Sequence, residues 1–196
     1  MGNAALMPEK IKTLEGAIVW QARHNLQTSL SLFQHRISDI ISQVGTTFLN
    51  GGKQKGHGGE LEVTWNSTQN LRLSGHYAYQ KNIDETTNHD AGYAPHHHLY
   101  TRADWRFIPG WQISGQVNYV ADRKRPSGDN RPQLDDYTST DLTLRSERTK
   151  QGWDFSASVY NLFNADIREP SKASSGITYD LPMPGRAFWL QARYSL

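Results

Sequence analysis

The sequence predicts an all-β fold, namely an antiparallel transmembrane β-barrel segment of about nine strands. Apolar residues recur at every second position, which places them on one face of a strand because successive side chains point to opposite sides. Short and long connections alternate between the predicted strands, as they do in bacterial outer-membrane barrels with short periplasmic turns and long outer loops. No stretch approaches the roughly 18 consecutive apolar residues that a membrane-spanning helix needs.

The alternation is clearest near the C-terminus. Trp153, Phe155 and Val159 fall on one face of a strand there, whereas Asp154 and Ser158 fall on the other. Similar patterns predict nine strands, at 11–23, 25–40, 59–68, 70–82, 97–108, 110–122, 137–149, 152–163 and 185–196. Strands in soluble proteins usually have about five to six residues, and many of the predicted strands are longer. They are long enough to cross a bilayer as tilted strands.

The connections between these strands form two classes. The short ones are rich in Asn, Gly or Pro, the residues that favour tight turns. They lie at 23–25, 67–70, 108–110 and 149–152, and the long connections lie at 41–58, 83–96, 123–136 and 164–184. The run Gly51–Gly56 superficially resembles a phosphate-binding loop, but it lacks the Gly-Lys-Ser/Thr order, so we interpret it as part of a flexible outer loop.

The odd number of strands predicts an incomplete barrel. The first and ninth strands would run in the same direction, whereas single-chain bacterial barrels close with antiparallel neighbours and even strand numbers. No signal-peptide pattern occurs at 1–16. We therefore expect a C-terminal fragment of a larger barrel, with the signal peptide absent. The alternative is a miscounted strand within 164–184, where Gly176 to Leu181 could hold a short pairing.

The composition excludes several classes of site. The net charge is only +2 and the basic residues are scattered, which does not favour a nucleic-acid partner. The chain has no cysteine, so it forms neither disulfides nor thiolate metal sites. A mean hydropathy of −0.71 is compatible with a membrane barrel, because such a barrel turns half of each strand towards its lumen.

Charged residues that alternate with the apolar ones are expected to face the lumen and to pair across strands or to contact a plug. They are Glu60, Glu62, Arg102, Asp104, Arg106, Asp141, Arg145 and Arg193.

Several short motifs, in order along the chain, resemble those of TonB-dependent outer-membrane receptors. The first precedes a mid-barrel strand of those receptors, and the others precede or form their C-terminal strand. In this sequence the motif residues are Pro8, Glu9 and Lys10, then Asn161, Leu162 and Phe163, then Pro184, Gly185 and Arg186.

The resemblance implies a 22-stranded barrel that encloses an N-terminal plug, of which this chain would supply about the last nine strands. It implies energised uptake of a scarce nutrient, with a ferric siderophore or similar iron complex as the first expectation and a vitamin as another. The plug, through which TonB would act, is expected to be absent from 1–196. The barrel-assembly machinery is expected to read the last strand through Tyr194 and Leu196, although the family usually ends on an aromatic residue.

The run His96-His97-His98 is a candidate binding site, because imidazole binds metals and haem. Neighbouring side chains of an extended chain point to opposite sides, so only His96 and His98 could face one ligand. Two such residues make an incomplete ligand set. We therefore predict no metal site and interpret the run as the polar end of a loop, with His96 and His98 as candidate ligand contacts.

Arg123, Arg125 and Arg131 are the other candidate ligand contacts, on the predicted outer loop 123–136. Their forked guanidinium groups could bind an anionic siderophore or the phosphates of lipopolysaccharide. The alternative is a solvated loop, because Asp122, Asp129, Asp135 and Asp136 balance the charge.

No catalytic motif is present, so we predict neither an enzyme nor a cofactor. The expected location is the bacterial outer membrane, with membrane lipid and lipopolysaccharide as surroundings. Two other classes stay open from the sequence: an outer-membrane β-barrel enzyme or adhesin, and a soluble β-rich binding module.

Overall fold

The computed structural model describes residues 3–146, 152–172, 177 and 179–195. Within these ranges the chain forms β-strands, turns and loops, and no helix is long and apolar enough to cross a membrane. The strands are β1 Lys10–Arg23, β2 Leu26–Val44, β3 Thr47–Asn66, β4 Leu71–Asp84, β5 His89–Asp90, β6 Pro95–Ile108, β7 Trp111–Arg123, β8 Tyr137–Ser146, β9 Gly152–Tyr160, β10 Arg168–Glu169, β11 Leu181–Pro182 and β12 Ala187–Ser195.

Nine of the strands form one antiparallel sheet in the order β1-β2-β3-β4-β6-β7-β8-β9-β12, and the short β5 extends the sheet beside β4. Each long strand thus pairs with its neighbours along the chain, which is the arrangement expected of a barrel wall. Within the described residues β1 and β12 are the two edges of the sheet. The predicted all-β class and the nine strands are therefore confirmed.

The first long connection was predicted wrongly. Residues 41–58 form a β-hairpin rather than a loop, since β2 and β3 stay paired out to Val44 and Thr47 and turn at Gly45, whose φ is +62°. The glycine-rich run was misread because glycines weaken strands in general. Here the aromatic and imidazole rings of the opposite strand occupy the vacant space, so a Cβ at Gly58 would lie 2.6 Å from Cζ of Phe33.

The connection between β9 and β12 contains a separate two-stranded sheet, formed by β10 and β11. Arg168 pairs with Pro182 and Glu169 with Leu181. This pairing includes Leu181 from the segment in which a strand could have been miscounted, whereas Gly176 lies outside the described residues. The small sheet stands apart from the large one, so it does not change the count of nine.

The two faces of the large sheet differ in polarity. Leu14, Leu32 and Leu190 share the outward face, where their exposed fractions are 67%, 58% and 82%. Among the described residues, only Val120, Ala121 and Leu134 form an apolar buried set. A soluble protein would not leave so large an apolar surface in water, whereas lipid covers that surface in a membrane.

Candidate ligand-binding surface at the outer loops

Three long connections gather at the end of the sheet opposite the tight turns. They are 85–94, 124–136 and 161–186, and the β2–β3 hairpin projects at the same end. The first two are joined by a backbone hydrogen bond of 3.0 Å from the N–H of Tyr93 to the carbonyl of Lys124.

Ion pairs fasten loop 124–136 to the β9–β12 connection. Arg125 donates from Nη1 to Oδ1 of Asp180 at 3.1 Å and from its second terminal nitrogen to Oδ2, so the contact is bidentate. Arg131 binds Asp129 with N–O distances of 2.9 and 2.7 Å and donates to Oγ of Ser171 at 2.9 Å. Residues 40 and 55 positions apart in sequence are thereby held together by planar, charge-assisted bonds.

These contacts favour the charged forms of the loop carboxylates. Hydrogen bonding to the Arg131 guanidinium lowers the pKa of Asp129 to about 2. The Arg125 guanidinium lowers the pKa of Asp180 in the same way. Both carboxylates therefore keep their charge to a lower pH than an ordinary aspartate does.

Arg123 lies inside the loop cluster, with an exposed fraction of only 2%. Its guanidinium carbon lies 4.9 Å from the ring centroid of Tyr137, and its terminal nitrogens donate to the backbone carbonyls of Arg168 and Asp135. These contacts anchor β10 to the start of β8.

The three histidines have different partners. Nδ1 of His96 lies 2.8 Å from Oδ2 of Asp122, and Nε2 lies 2.6 Å from Oδ2 of Asp90, so both ring nitrogens face carboxylates. Nε2 of His98 lies 2.5 Å from Oδ1 of Asn118. Across the described ranges, no group of three or more His, Asp or Glu side chains is arranged to hold a metal ion.

A cavity of about 660 Å³ lies between loops 85–94 and 124–136. Its lining includes His96, Arg125 and Arg131, but neither Arg123 nor His98. The structure thus brings three of the five candidate contacts to one concave surface. Lys81, Lys124 and His89 add further basic groups to the lining, and Asp90 and Asp129 add acidic ones.

A second polar cluster lies on the lumen face near the tight turns. Asp104 accepts hydrogen bonds from Arg102, from Gln112 at 3.2 Å and from Ser114 at 2.6 Å. The charged pair lies on one strand, β6, and only its neutral partners come from β7. For Asp104 the ion pair is thus formed within one strand, at i and i+2, and is supported by the neighbouring strand. The expected pairing across strands is found at Glu60 on β3, whose carboxylate lies 3.8 Å from His76 on β4.

The motif residues for which contacts are described stabilise turns and strand ends. Oε1 of Glu9 accepts the N–H of Ile41 at 2.6 Å, and Lys10 pairs with Asp39 at 3.2 Å. The side chain of Asn161 makes two hydrogen bonds to the backbone of Ala165, closing the turn after β9.

The last motif is held by the same turn. Asn164 accepts the N–H of Arg186 at 2.8 Å, and a Cβ at Gly185 would lie only 2.8 Å from that amide oxygen. Tyr194 packs on Trp153 with 5.2 Å between ring centroids, and Leu196 lies outside the described residues.

Sequence reasoning missed the acidic partners of the loop. Asp180 and Asp90 lie on other connections, and one sequence carries no signal that pairs them with Arg125 and His96. The balancing acidic residues on the arginine loop itself were visible, and two of them, Asp122 and Asp129, do form side-chain ion pairs with basic residues of that loop.

The fold and the arrangement of faces define an outer-membrane β-barrel segment. Residues 1–162 match the model of the family described as TonB dependent receptor-like, beta-barrel. The chain belongs to this family, whose members are outer-membrane proteins. No curated protein matches the sequence significantly.

Solved structures share the fold. The copper transporter OprC matches with a TM-score of 0.80 and 20% identity, over 100% of this chain and 34% of that protein. The ferric yersiniabactin uptake receptor FyuA from Yersinia pestis matches with a TM-score of 0.82 and 18% identity, over 95% and 30%. The ferric-catecholate import receptor Fiu from E. coli K12, in its closed form, matches with a TM-score of 0.77 and 23% identity, over 97% and 28%. The chain therefore spans about a third of the length of these structures.

Proposed function

We propose that this chain is the C-terminal part of the barrel of a TonB-dependent receptor that imports a small, scarce nutrient across the outer membrane. The match to the receptor family over residues 1–162 carries the proposal. A plug preceding these strands would contact TonB, and the barrel-assembly machinery would insert the chain. The role is transport and not catalysis.

The ligand we propose is an anionic iron chelate, such as a ferric siderophore. The basic cavity between the outer loops supports this choice, since Lys124, Arg125 and Arg131 line it. Guanidinium groups suit the carboxylate or catecholate oxygens of such a ligand. Two of the structures that share the fold are an import receptor for ferric catecholate and an uptake receptor for ferric yersiniabactin.

Uptake of radioactive iron tests the transport proposal. The receptor would be expressed in cells that lack other siderophore receptors and would be offered a panel of ferric catecholates, hydroxamates and carboxylates. We expect uptake of at least one of them, and we expect it to disappear when TonB is deleted. Absence of TonB-dependent uptake for the whole panel would contradict an iron-chelate receptor.

Arg125 and Arg131 are proposed to contact the ligand, with His96 beside them, since all three line the cavity. Arg123 and His98 lie outside its lining, so their proposed effect on the ligand is indirect, through the loops and strands that they hold. Replacing Arg125 and Arg131 by Ala should weaken ligand binding in the receptor. Asp180→Asn is the matched control, because it loosens the same loop without removing a cation. Weaker binding in the double variant than in the control indicates direct contact, whereas unchanged affinity in the double variant would exclude these two arginines from the site.

A further inference from the structure

A row of basic side chains crosses the outward face of the sheet near the outer loops. Lys12 on β1 lies directly opposite Arg36 on β2, and Arg36 lies directly opposite Lys55 on β3. One row nearer the turns, His57 lies opposite Lys81 on β4. We call Lys12, Arg36, Lys55 and Lys81 the outward basic patch.

Placing like charges directly opposite one another destabilises a sheet. Glu85 relieves part of this repulsion, at 3.9 Å from Arg36 and 3.6 Å from Lys55. Within the described residues, Lys12 and Lys81 form no ion pair with a carboxylate. The patch therefore keeps an excess of positive charge, and the side chains are well exposed, by 74% for Arg36 and 50% for Lys55.

The patch stands immediately above the apolar band of the same face. Leu14 lies two residues from Lys12, and Tyr79 lies two residues from Lys81, which is about 7 Å along a strand. Leu32 and Leu61 continue the band on β2 and β3 towards the tight turns. The positive groups consequently lie at the boundary between the hydrocarbon of the outer leaflet and its head groups.

A depression of about 590 Å³ is centred on this patch. Lys12, Arg36 and Lys55 line it, together with Leu14 and the polar side chains Gln34 and His57. It thus offers cationic donors on the side of the outer medium and, towards the membrane, a row formed by Leu14, Gln34 and His57.

We infer that the outward basic patch binds the phosphate groups of lipid A, the anionic lipid anchor of lipopolysaccharide. The patch is positively charged, and ammonium and guanidinium groups donate hydrogen bonds to phosphate oxygens. It also lies at the level of the head groups of the outer leaflet, where these phosphates are found. The inference rests on the outward orientation that the proposed function requires, but it concerns the lipid and not the imported ligand.

Retention of lipopolysaccharide by the protein purified from outer membranes tests this site. The variant K12Q/R36Q/K55Q removes three charges of the patch. The control R23Q/R168Q/K172Q also removes three positive charges, from the tight turn at the end of β1 and from the β9–β12 connection. Because each basic group near a lipid head group contributes modestly, we expect the patch variant to bind added lipid A on the order of 100-fold more weakly and the control to bind it unchanged.

Two results would overturn the inference. One is equal retention of lipid A by the patch variant and the wild-type protein, and the other is an equal loss in both variants, which would indicate a general effect of charge. A measurement that needs no variant is binding of dephosphorylated lipid A to the wild-type protein. We expect this probe to bind about as weakly as lipid A binds to the patch variant, and equal binding of the two lipids to the wild-type protein would contradict phosphate recognition. Iron uptake, measured in parallel, distinguishes failure of this inference from failure of the transport proposal.

Discussion

Asp180→Asn should release loop 124–136 from the β9–β12 connection. The substitution keeps the size of the side chain but removes the charge that accepts both terminal nitrogens of Arg125, and Arg131 Nη1 lies 3.7 Å from the same carboxylate. Both members of the main pair are nearly buried, with exposed side-chain fractions of 8% for Arg125 and 12% for Asp180. Arg125 and Asp180 lie 55 residues apart in sequence, so only the tertiary structure brings them into contact.

The free energy lost in Asp180→Asn depends on the contacts that Arg125 keeps. Breaking a buried ion pair costs about 3–5 kcal/mol when one charge is left without a partner. Arg125 retains Asp129 at 3.6 Å and the carbonyl of Pro132 at 2.7 Å, so the loss should be smaller, about 2–3 kcal/mol. A local opening equilibrium changes about tenfold for each 1.4 kcal/mol, so we expect the population of the open loop to rise by roughly 30- to 140-fold.

Hydrogen exchange followed by mass spectrometry measures this opening. Amides of loop 124–136 and of β10–β11 should exchange faster in Asp180→Asn, whereas amides in the barrel strands should not change. Asp166→Asn is the control, because its ion pair with Arg168 is exposed and should contribute under about 1 kcal/mol. Unchanged exchange of the loop in Asp180→Asn would refute the assignment of this ion pair as the fastening contact.

Three further predictions concern pH and packing. The pKa of Asp129 is lowered from 3.8 to about 2, so its ionised carboxylate stabilises the folded loop above about pH 4. This stabilisation should be lost as the pH falls from about 4 to about 2. Hydrogen exchange of the loop amides, measured across that range, tests the prediction. Gly58→Ala should lower the free energy of unfolding by about 1–3 kcal/mol, because the new Cβ would lie too close to the carbonyl oxygen of Tyr79. Gly16→Ala is the control and should leave the stability unchanged, since a Cβ there meets nothing within 4 Å. Thermal unfolding in detergent compares the two variants. Asp104→Asn should cost about 1–3 kcal/mol in the same assay, because the guanidinium that it binds on β6 loses its carboxylate.

Strand positions were predictable where the apolar period of two is strong. β6 was predicted at 97–108 and is found at Pro95–Ile108, and β7 was predicted at 110–122 and is found at Trp111–Arg123. The prediction failed in the outer half of the β2–β3 hairpin. Glycines interrupt the apolar alternation there, and the strands are held by their backbone pairing and by the rings of His35 and Phe33, which fill the space above Gly56 and Gly58.

The candidate site was predictable in its residue types but not in its contacts. The sequence predicted arginines on an outer loop, and Arg125 and Arg131 do line the cavity. The sequence did not predict their acidic partner Asp180, because it lies 55 residues from Arg125 along the chain. Only the folded sheet decides which loop ends are neighbours.

The sequence by itself determined the strands, their alternating faces and their membrane environment, because each depends on residues close together along the chain. The tertiary structure decided the register between strands, and with it the row of Lys12, Arg36 and Lys55 that no single strand reveals. It also decided which loops are tied together by ion pairs. Both depend on residues far apart in sequence, whose proximity is set when the backbone hydrogen bonds of neighbouring strands form.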